Sequence, residues 1–165
     1  MVYMMEFLQK ENILNGTNII SEVKIPIKLR KNVFIGTYKV SQRPQNSHPT
    51  VNAGFSMKVA ENGCQNVKIF YGNIGERLHE MAATEKWIEK NCTPANLAGK
   101  LPDLLSFLQE ELRGIVTRKY ISSRDFLVDT ACNVFFKYLV KMACVFKLPD
   151  WGDVKNVSLQ LPYIM

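Results

Sequence analysis

The sequence predicts an α+β fold, an antiparallel sheet of three to four strands followed by three helices packed on one face. Two observations carry this. From residue 19 to residue 71, apolar side chains recur at every second position in segments separated by turn-forming residues, the pattern of half-buried strands. From residue 84 to residue 146 the apolar spacing changes to three and four, the pattern of helices with one buried stripe. Strands joined only by turns form a meander with one covered face, and the later helices supply the cover.

Residues 1–18 read as a lead-in whose Asn15-Gly16 marks a turn. So abrupt an opening onto a strand leads us to expect a further lobe before it. The first strand is expected over residues 19–27, with Val23, Ile25 and Ile27 on one face and Glu22, Lys24 and Pro26 on the other. Pro26 has no amide hydrogen for a ladder and belongs at an edge or a strand end. Residues 28–32 turn the chain into a second strand, where Phe34, Gly36, Tyr38 and Val40 alternate with Ile35, Thr37, Lys39 and Ser41. Residues 42–50 hold two prolines, an asparagine, a serine and a histidine, a composition that ends strands. A loop of this length on a rigid sheet serves either binding or plain connection. In the third strand Val51, Ala53, Phe55, Met57 and Val59 alternate with Asn52, Gly54, Ser56 and Lys58, and after the turn Glu61-Asn62-Gly63 the residues Val67, Ile69 and Tyr71 begin a fourth.

A short helix is expected over residues 84–91. Thr93-Pro94 offers an N-cap with proline at the first helical position, and Pro102 restarts the pattern with Leu104, Leu105, Leu108 and Leu112 at helical spacing until Gly114. Ser122 and Asp125 resemble a capping box for the last helix, whose stripe runs through Leu127, Ala131, Val134, Phe135, Tyr138, Leu139, Met142 and Phe146. That wide aromatic stripe reads as core against the sheet. The pattern dissolves after residue 147, so the domain is expected over 19–147 with a tail over 148–165.

A chain of 165 residues, 47% hydrophobic and 22% charged, can build its own core without disulfides or metal. Cys64, Cys92, Cys132 and Cys144 form no C-x-x-C pair, which argues against zinc or iron–sulfur ligation within this chain and suits a reducing compartment. An even count would also permit two disulfides, but Cys132 and Cys144 lie in the apolar helical pattern, where buried thiols are the commoner reading. The net charge of +6 raises the question of nucleic acid, but only Lys28, Arg30 and Lys31 cluster densely and no aromatic-rich RNA-binding signature accompanies them. We therefore expect no nucleic-acid partner. There is no apolar run of about 18 residues and no signal-peptide pattern at the start, so no membrane span is expected and the default compartment is the cytosol, a cytoplasmic location.

His48 and His79 are the only histidines, and neither has a partner at metal-ligand spacing. Both read as solvated loop histidines. Phosphate-cradling glycine loops are missing as well. Without a nucleophile, a metal cluster or a phosphate cradle, the chain is not expected to be an enzyme by itself, which leaves binding and scaffolding.

The order of several short motifs supplies a specific reading. Tyr38-Lys39, then Arg43, a polar loop, and Asn52-Ala53-Gly54-Phe55 are followed by Phe70-Tyr71-Gly72-Asn73-Ile74-Gly75, Ala82-Ala83-Thr84-Glu85-Lys86 and the run around Phe135-Phe136-Lys137-Tyr138. This succession, over roughly residues 13–146, resembles the flavin domain of the molybdenum hydroxylases, the xanthine dehydrogenase and aldehyde oxidase family. The part resembled is the smaller C-terminal lobe, similar to the CO dehydrogenase flavoprotein C-terminal domain, and the form of the loop looks most like the animal aldehyde oxidases.

The resemblance implies a sheet backed by three helices and a share in binding FAD. Two cofactor contacts map here: Ile20, through its backbone, and Lys39, through its ammonium. Arg43 matches the arginine that begins a loop beside the flavin; in the xanthine dehydrogenase form acidic residues follow it, whereas Gln45-Asn46-Ser47 carries no acid, which favours dioxygen over NAD as acceptor. The molybdenum cofactor and the iron–sulfur clusters would belong to domains outside this chain. The implied partners are the remainder of the flavin domain and the other enzyme domains, with a homodimer possible in the full enzyme. The resemblance thus implies a lobe of an FAD-dependent oxidoreductase present as a fragment. The alternative is a stand-alone interaction or structural module that keeps the fold without flavin.

Overall fold

The structure is a computed structural model that describes residues 19–24, 31–43, 45–116 and 123–152. The chain divides into two units, Met1–Arg30 and Lys31–Met165. In the first, residues 19–24 form no strand, contrary to the sequence expectation. Ile19, Ile20 and Val23 are all exposed, and an alternation of apolar residues specifies a strand only where a sheet receives the apolar face. The rest of the expected strand, 25–27, lies outside the described residues. Glu22 and Lys24 pair at 3.4 Å in water.

The second unit holds the strands β1 (Val33–Ser41), β2 (Pro49–Ala60), β3 (Gly63–Gly72) and β4 (His79–Glu80), then the helices α1 (Ala82–Asn91), α2 (Leu101–Ile115) and α3 (Arg124–Phe146). The strands form one antiparallel sheet in the order β1-β2-β3-β4. The expected α+β architecture is therefore present: the expected second, third and fourth strands are β1, β2 and β3, and β4 is a strand that the sequence pattern did not predict. β4 is two residues long and has no periodic signal of its own; it exists because His79 and Glu80 pair with Tyr71 and Phe70. His79 is accordingly a half-buried strand residue and not a solvated loop histidine.

The alternation read from β1 to β3 sorts the side chains by face. Val51, Ala53, Phe55, Met57 and Val59 of β2 point into the core with Val67, Ile69 and Tyr71 of β3. A bulge in β3 opposite Ser56 and Lys58 inserts one residue, and Asn66 takes a left-handed φ of 49° there. The insertion lets Cys64 and Val67, three positions apart, both face inward. α3 lies across β1 and β2, α1 lies along β3, and α2 bridges the two helices.

At the centre is Phe55, whose ring lies 5.7 Å from Tyr38, 5.5 Å from Tyr71, 5.2 Å from Phe135 and 5.1 Å from Tyr138. The buried hydroxyls are satisfied: Tyr71 donates to the Ala131 carbonyl at 2.8 Å and Tyr138 to the Phe34 carbonyl at 2.9 Å. Tyr138 reaches β1 only because position 36 is glycine, where a Cβ would meet its ring at 2.8 Å.

α1 is held at both ends of its first two turns by carboxylates. Its N-cap residue, Met81, has no side-chain acceptor, and Glu111 of α2 takes that part, accepting the Ala83 amide at 3.0 Å, the Thr84 amide at 2.8 Å and the Thr84 hydroxyl at 2.6 Å. Glu85 and Glu89, one turn apart, accept the outward amides of Ile69 at 2.8 Å and Val67 at 3.1 Å along the edge of β3. Lys68 reaches Glu85 at 3.0 Å and Glu80 at 2.6 Å.

Three local expectations shift. Thr93 and Asn96 bond each other's backbone amides and close turns over residues 94–100, so no helix starts at Pro94 and α2 starts at Leu101 with Pro102 in its first turn. The N-cap of α3 is Ser123, which accepts the Phe126 amide at 3.2 Å, one residue after the expected Ser122, which lies outside the described residues. Cys132 is buried as expected but Cys144 is exposed, because it sits on the side of α3 turned from the sheet. The core continues past α3, where Leu148 packs against it and Trp151 is buried.

Two measurements test this packing. Phe135 is fully buried against Phe55, so Phe135→Ala should destabilise by about 3–5 kcal/mol in urea melts, and a loss under about 1 kcal/mol would mean that the core is centred elsewhere. Burial raises the Glu85 pKa above its ordinary value near 4.5 in spite of the Ile69 amide and the Lys68 ammonium. The folded chain then holds that proton more tightly than the unfolded chain, so the stability Glu85 contributes is greatest at acid pH and falls as pH rises through the raised value. Relative to Glu85→Gln, the wild type should lose stability as pH climbs from about 4 toward neutrality; a wild type that gains on the variant would show that its hydrogen bonds outweigh burial.

Candidate functional site

The helices cover one face of the sheet, and the other face is built by the alternate residues. The register aligns Lys39 with Asn52 and Asn52 with Gly72, then Thr37 with Gly54 and Phe70, then Ile35 with Ser56 and Lys68. This face carries three lysines. Lys68 is engaged with Glu80 and Glu85, and Lys58 donates to Gln65 at 3.1 Å. Lys39 is exposed and makes no ion pair or hydrogen bond among the described residues, so its ammonium remains available to an outside acceptor.

Lys39 stands near the end of the sheet where two loops meet. The loop after β1 is folded on itself: the Ser41 hydroxyl donates to the Arg43 carbonyl at 2.6 Å, and the Arg43 guanidinium donates to the Asn46 carbonyl at 3.4 Å, with Asn46 at φ 49°. Arg43 is exposed, two residues past the end of β1, on the same rim as Lys39. The loop returns to the sheet under control of Asn73, whose carboxamide donates to the carbonyls of Pro49 and Thr50. Asn73 itself has a left-handed φ of 67°.

Next to Lys39 the row continues into a notch. Gly72 lies on the face turned from the helices yet is buried, because the Asn52 side chain lies over it. A Cβ at position 72 would collide with the Asn52 carboxamide, meeting Oδ1 first and Cγ at 3.0 Å. Below the rim, His79 packs its Nε2 against Gly75 without a hydrogen-bond partner among the described residues, and burial lowers its pKa. No group of three or more potential metal ligands occurs among the described residues.

The structure thus brings two of the three residues singled out from sequence, Lys39 and Arg43, to one rim. Ile20 belongs to the first unit, where it is exposed and outside regular structure. The geometry adds Asn52 and Gly72. Their signal was present in the strand alternation, which puts both on the outward face, but the row forms only once strand register is fixed.

The profile of the CO dehydrogenase flavoprotein C-terminal domain matches residues 36–142, more than half of the chain and the span from β1 into α3. The chain belongs to this family. It is the flavoprotein C-terminal domain of the molybdenum hydroxylases, as the resemblance implied. Among curated proteins no sequence matches it. The flavoprotein fold recurs in solved structures of low sequence identity. Quinoline 2-oxidoreductase from Pseudomonas putida 86 is 16% identical with a TM-score of 0.54, covering 67% of this chain and 37% of that one. Carbon monoxide dehydrogenase from Hydrogenophaga pseudoflava is 9% identical with a TM-score of 0.52, covering 64% of this chain and 34% of that one. The chain therefore spans about a third of the length of the structures it matches. No helix among the described residues of this flavoprotein domain is long and apolar enough to cross a membrane.

The Asn73 clamp yields a stability test. Asn73→Gly keeps the left-handed backbone and removes the bonds to Pro49 and Thr50, at an expected cost of about 1–2 kcal/mol. Asn73→Ala should lose about 1 kcal/mol more by forcing a Cβ into the same backbone conformation. Identical urea midpoints for the two variants would mean that the backbone relaxes and that the left-handed conformation is not held.

Proposed function

We propose that this domain is the C-terminal lobe of the FAD domain in an aldehyde-oxidase-type molybdenum hydroxylase, and that Lys39 and the backbone of Ile20 contribute to holding the FAD. The observation that carries the reading is the Lys39 ammonium, which has no partner among the described residues, on a family-matched strand and beside the Asn52 carboxamide that Gly72 allows to lie against the sheet. These residues fit a polar cofactor. An ammonium suits the oxygen and nitrogen acceptors of a flavin nucleotide, and the neighbouring carboxamide both donates and accepts. When bound, FAD supplies the electron-carrying chemistry; the residues of this chain bind and orient it.

In this reading the chain is one part of a longer cytosolic enzyme, and its partners are the rest of the flavin domain and the domains that carry the molybdenum cofactor and iron–sulfur clusters. The Arg43 loop lies beside the flavin, and the absence of acidic residues at Gln45, Asn46 and Ser47 supports dioxygen over NAD as the acceptor.

Magnitudes decide what the chain does alone. A charge-assisted contact from Lys39 contributes about 1.5–3 kcal/mol and a neutral one from the Ile20 backbone about 0.5–1.5 kcal/mol. Micromolar binding requires about 8 kcal/mol after the entropy of association is offset. We expect the isolated chain to bind FAD no tighter than about millimolar by calorimetry, and the full-length protein to bind it strongly and lose at least about tenfold on Lys39→Ala. Micromolar binding by the isolated chain would mean that it holds a complete flavin site. A full-length protein that binds no flavin would identify the domain as a structural module instead.

A further inference from the structure

We propose that Asn52, seated over Gly72 and opposed to Lys39, is a second polar contact to the FAD, and that Gly72 is a positioning residue which acts through Asn52. The inference rests on the reading of Lys39 as a cofactor contact and deepens it. Three observations support it. Asn52 is the cross-strand partner of Lys39 on the face turned from the helices, so the two side chains stand next to each other in one row. Gly72 is the partner of Asn52 on the opposite side and lacks the side chain that would otherwise occupy the row, so the carboxamide lies flat against β3 and does not stand off the sheet. The same row is anchored from below, because Ala53 and Tyr71, the neighbours of Asn52 and Gly72, are buried in the core as a further cross-strand pair.

The chemistry of the pair is complementary. Lys39 can only donate, and a site of ammonium groups alone would take any anion. A carboxamide beside it both donates and accepts, which selects a ligand that presents an acceptor next to a group of either kind, such as the polar edge of a flavin ring or the hydroxyls of its ribityl chain. The elements are also stiff. Both strands are fixed by Phe55, whose ring touches Tyr38 and Tyr71 on either side, so the spacing between positions 39, 52 and 72 does not adjust to the ligand.

The test uses the full-length protein that carries this domain, with FAD affinity read from flavin fluorescence and the visible spectrum of the bound flavin recorded at saturation. Asn52→Ala should weaken FAD binding by about tenfold and alter the spectrum of the flavin that remains bound. Gly72→Ala should weaken it by a similar factor in the wild-type background. The colliding atoms belong to the end of a flexible side chain, so the fold should survive, as urea melts will verify. In the Asn52→Ala background, adding Gly72→Ala should change affinity by less than about twofold, because the carboxamide it displaces is already gone. Should Gly72→Ala cost as much with Asn52 absent as with it present, glycine does not act through Asn52 and the proposal fails. A loss on Lys39→Ala with none on Asn52→Ala overturns this inference and leaves the reading of Lys39 intact. An unchanged affinity in Lys39→Ala overturns the reading of the site, and this inference with it.

Discussion

A strand edge cannot be buried with its amides unpaired, and the way this domain closes the edge of β3 sets the placement of everything after it. β4 covers only Phe70 and Tyr71. Beyond it the amides of Val67 and Ile69 are taken by Glu89 and Glu85, two side chains on one face of α1, so a helix does the work of a neighbouring strand. Fixing α1 at that edge brings its N-terminus to Glu111, which ties down α2, and α2 in turn packs against α3. The chain of dependence runs from two backbone donors to three helices.

The cost of the arrangement falls on Glu85. A carboxylate that is 5% exposed is expensive unless its lone pairs are used, and here one oxygen meets an amide and the other an ammonium. Lys68 lies on the face turned from the helices and reaches Glu85 at the edge, so the two faces are joined electrostatically at this point. Of the three lysines on that face, Lys39 alone has no ion pair or hydrogen bond among the described residues.

Much of the domain is legible in the amino-acid sequence, and the parts that are not have physical causes. β1 to β3 were legible because their apolar residues alternate and those on one side face the core, half-buried in β1 and buried in β2 and β3. The expected first strand alternates only from Glu22 onward, and its described residues 19–24 form no strand, with Ile19, Ile20 and Val23 exposed. β4 has two residues and no pattern; pairing alone creates it. Thr93 and Pro94 carried sound capping chemistry that closed a turn, since Asn96 completes the bonds locally before a helix can propagate. At the candidate site, Lys39 and Arg43 were legible from motif order along the chain. The row of Lys39, Asn52 and Gly72 depends on which residues face one another across strands, information that a single sequence holds only implicitly.

The Asn73 clamp bears on how such a domain can vary. By gripping Pro49 and Thr50 from just past the end of the neighbouring β3, it starts β2 at a fixed place whatever the preceding loop does. Loop closure is weakly dependent on length, so residues can be gained, lost or exchanged between Ser41 and Pro49 with little effect on the strands. The rim is in this sense modular: its outer loop is free to diversify in evolution while the row that carries Lys39 stays in register.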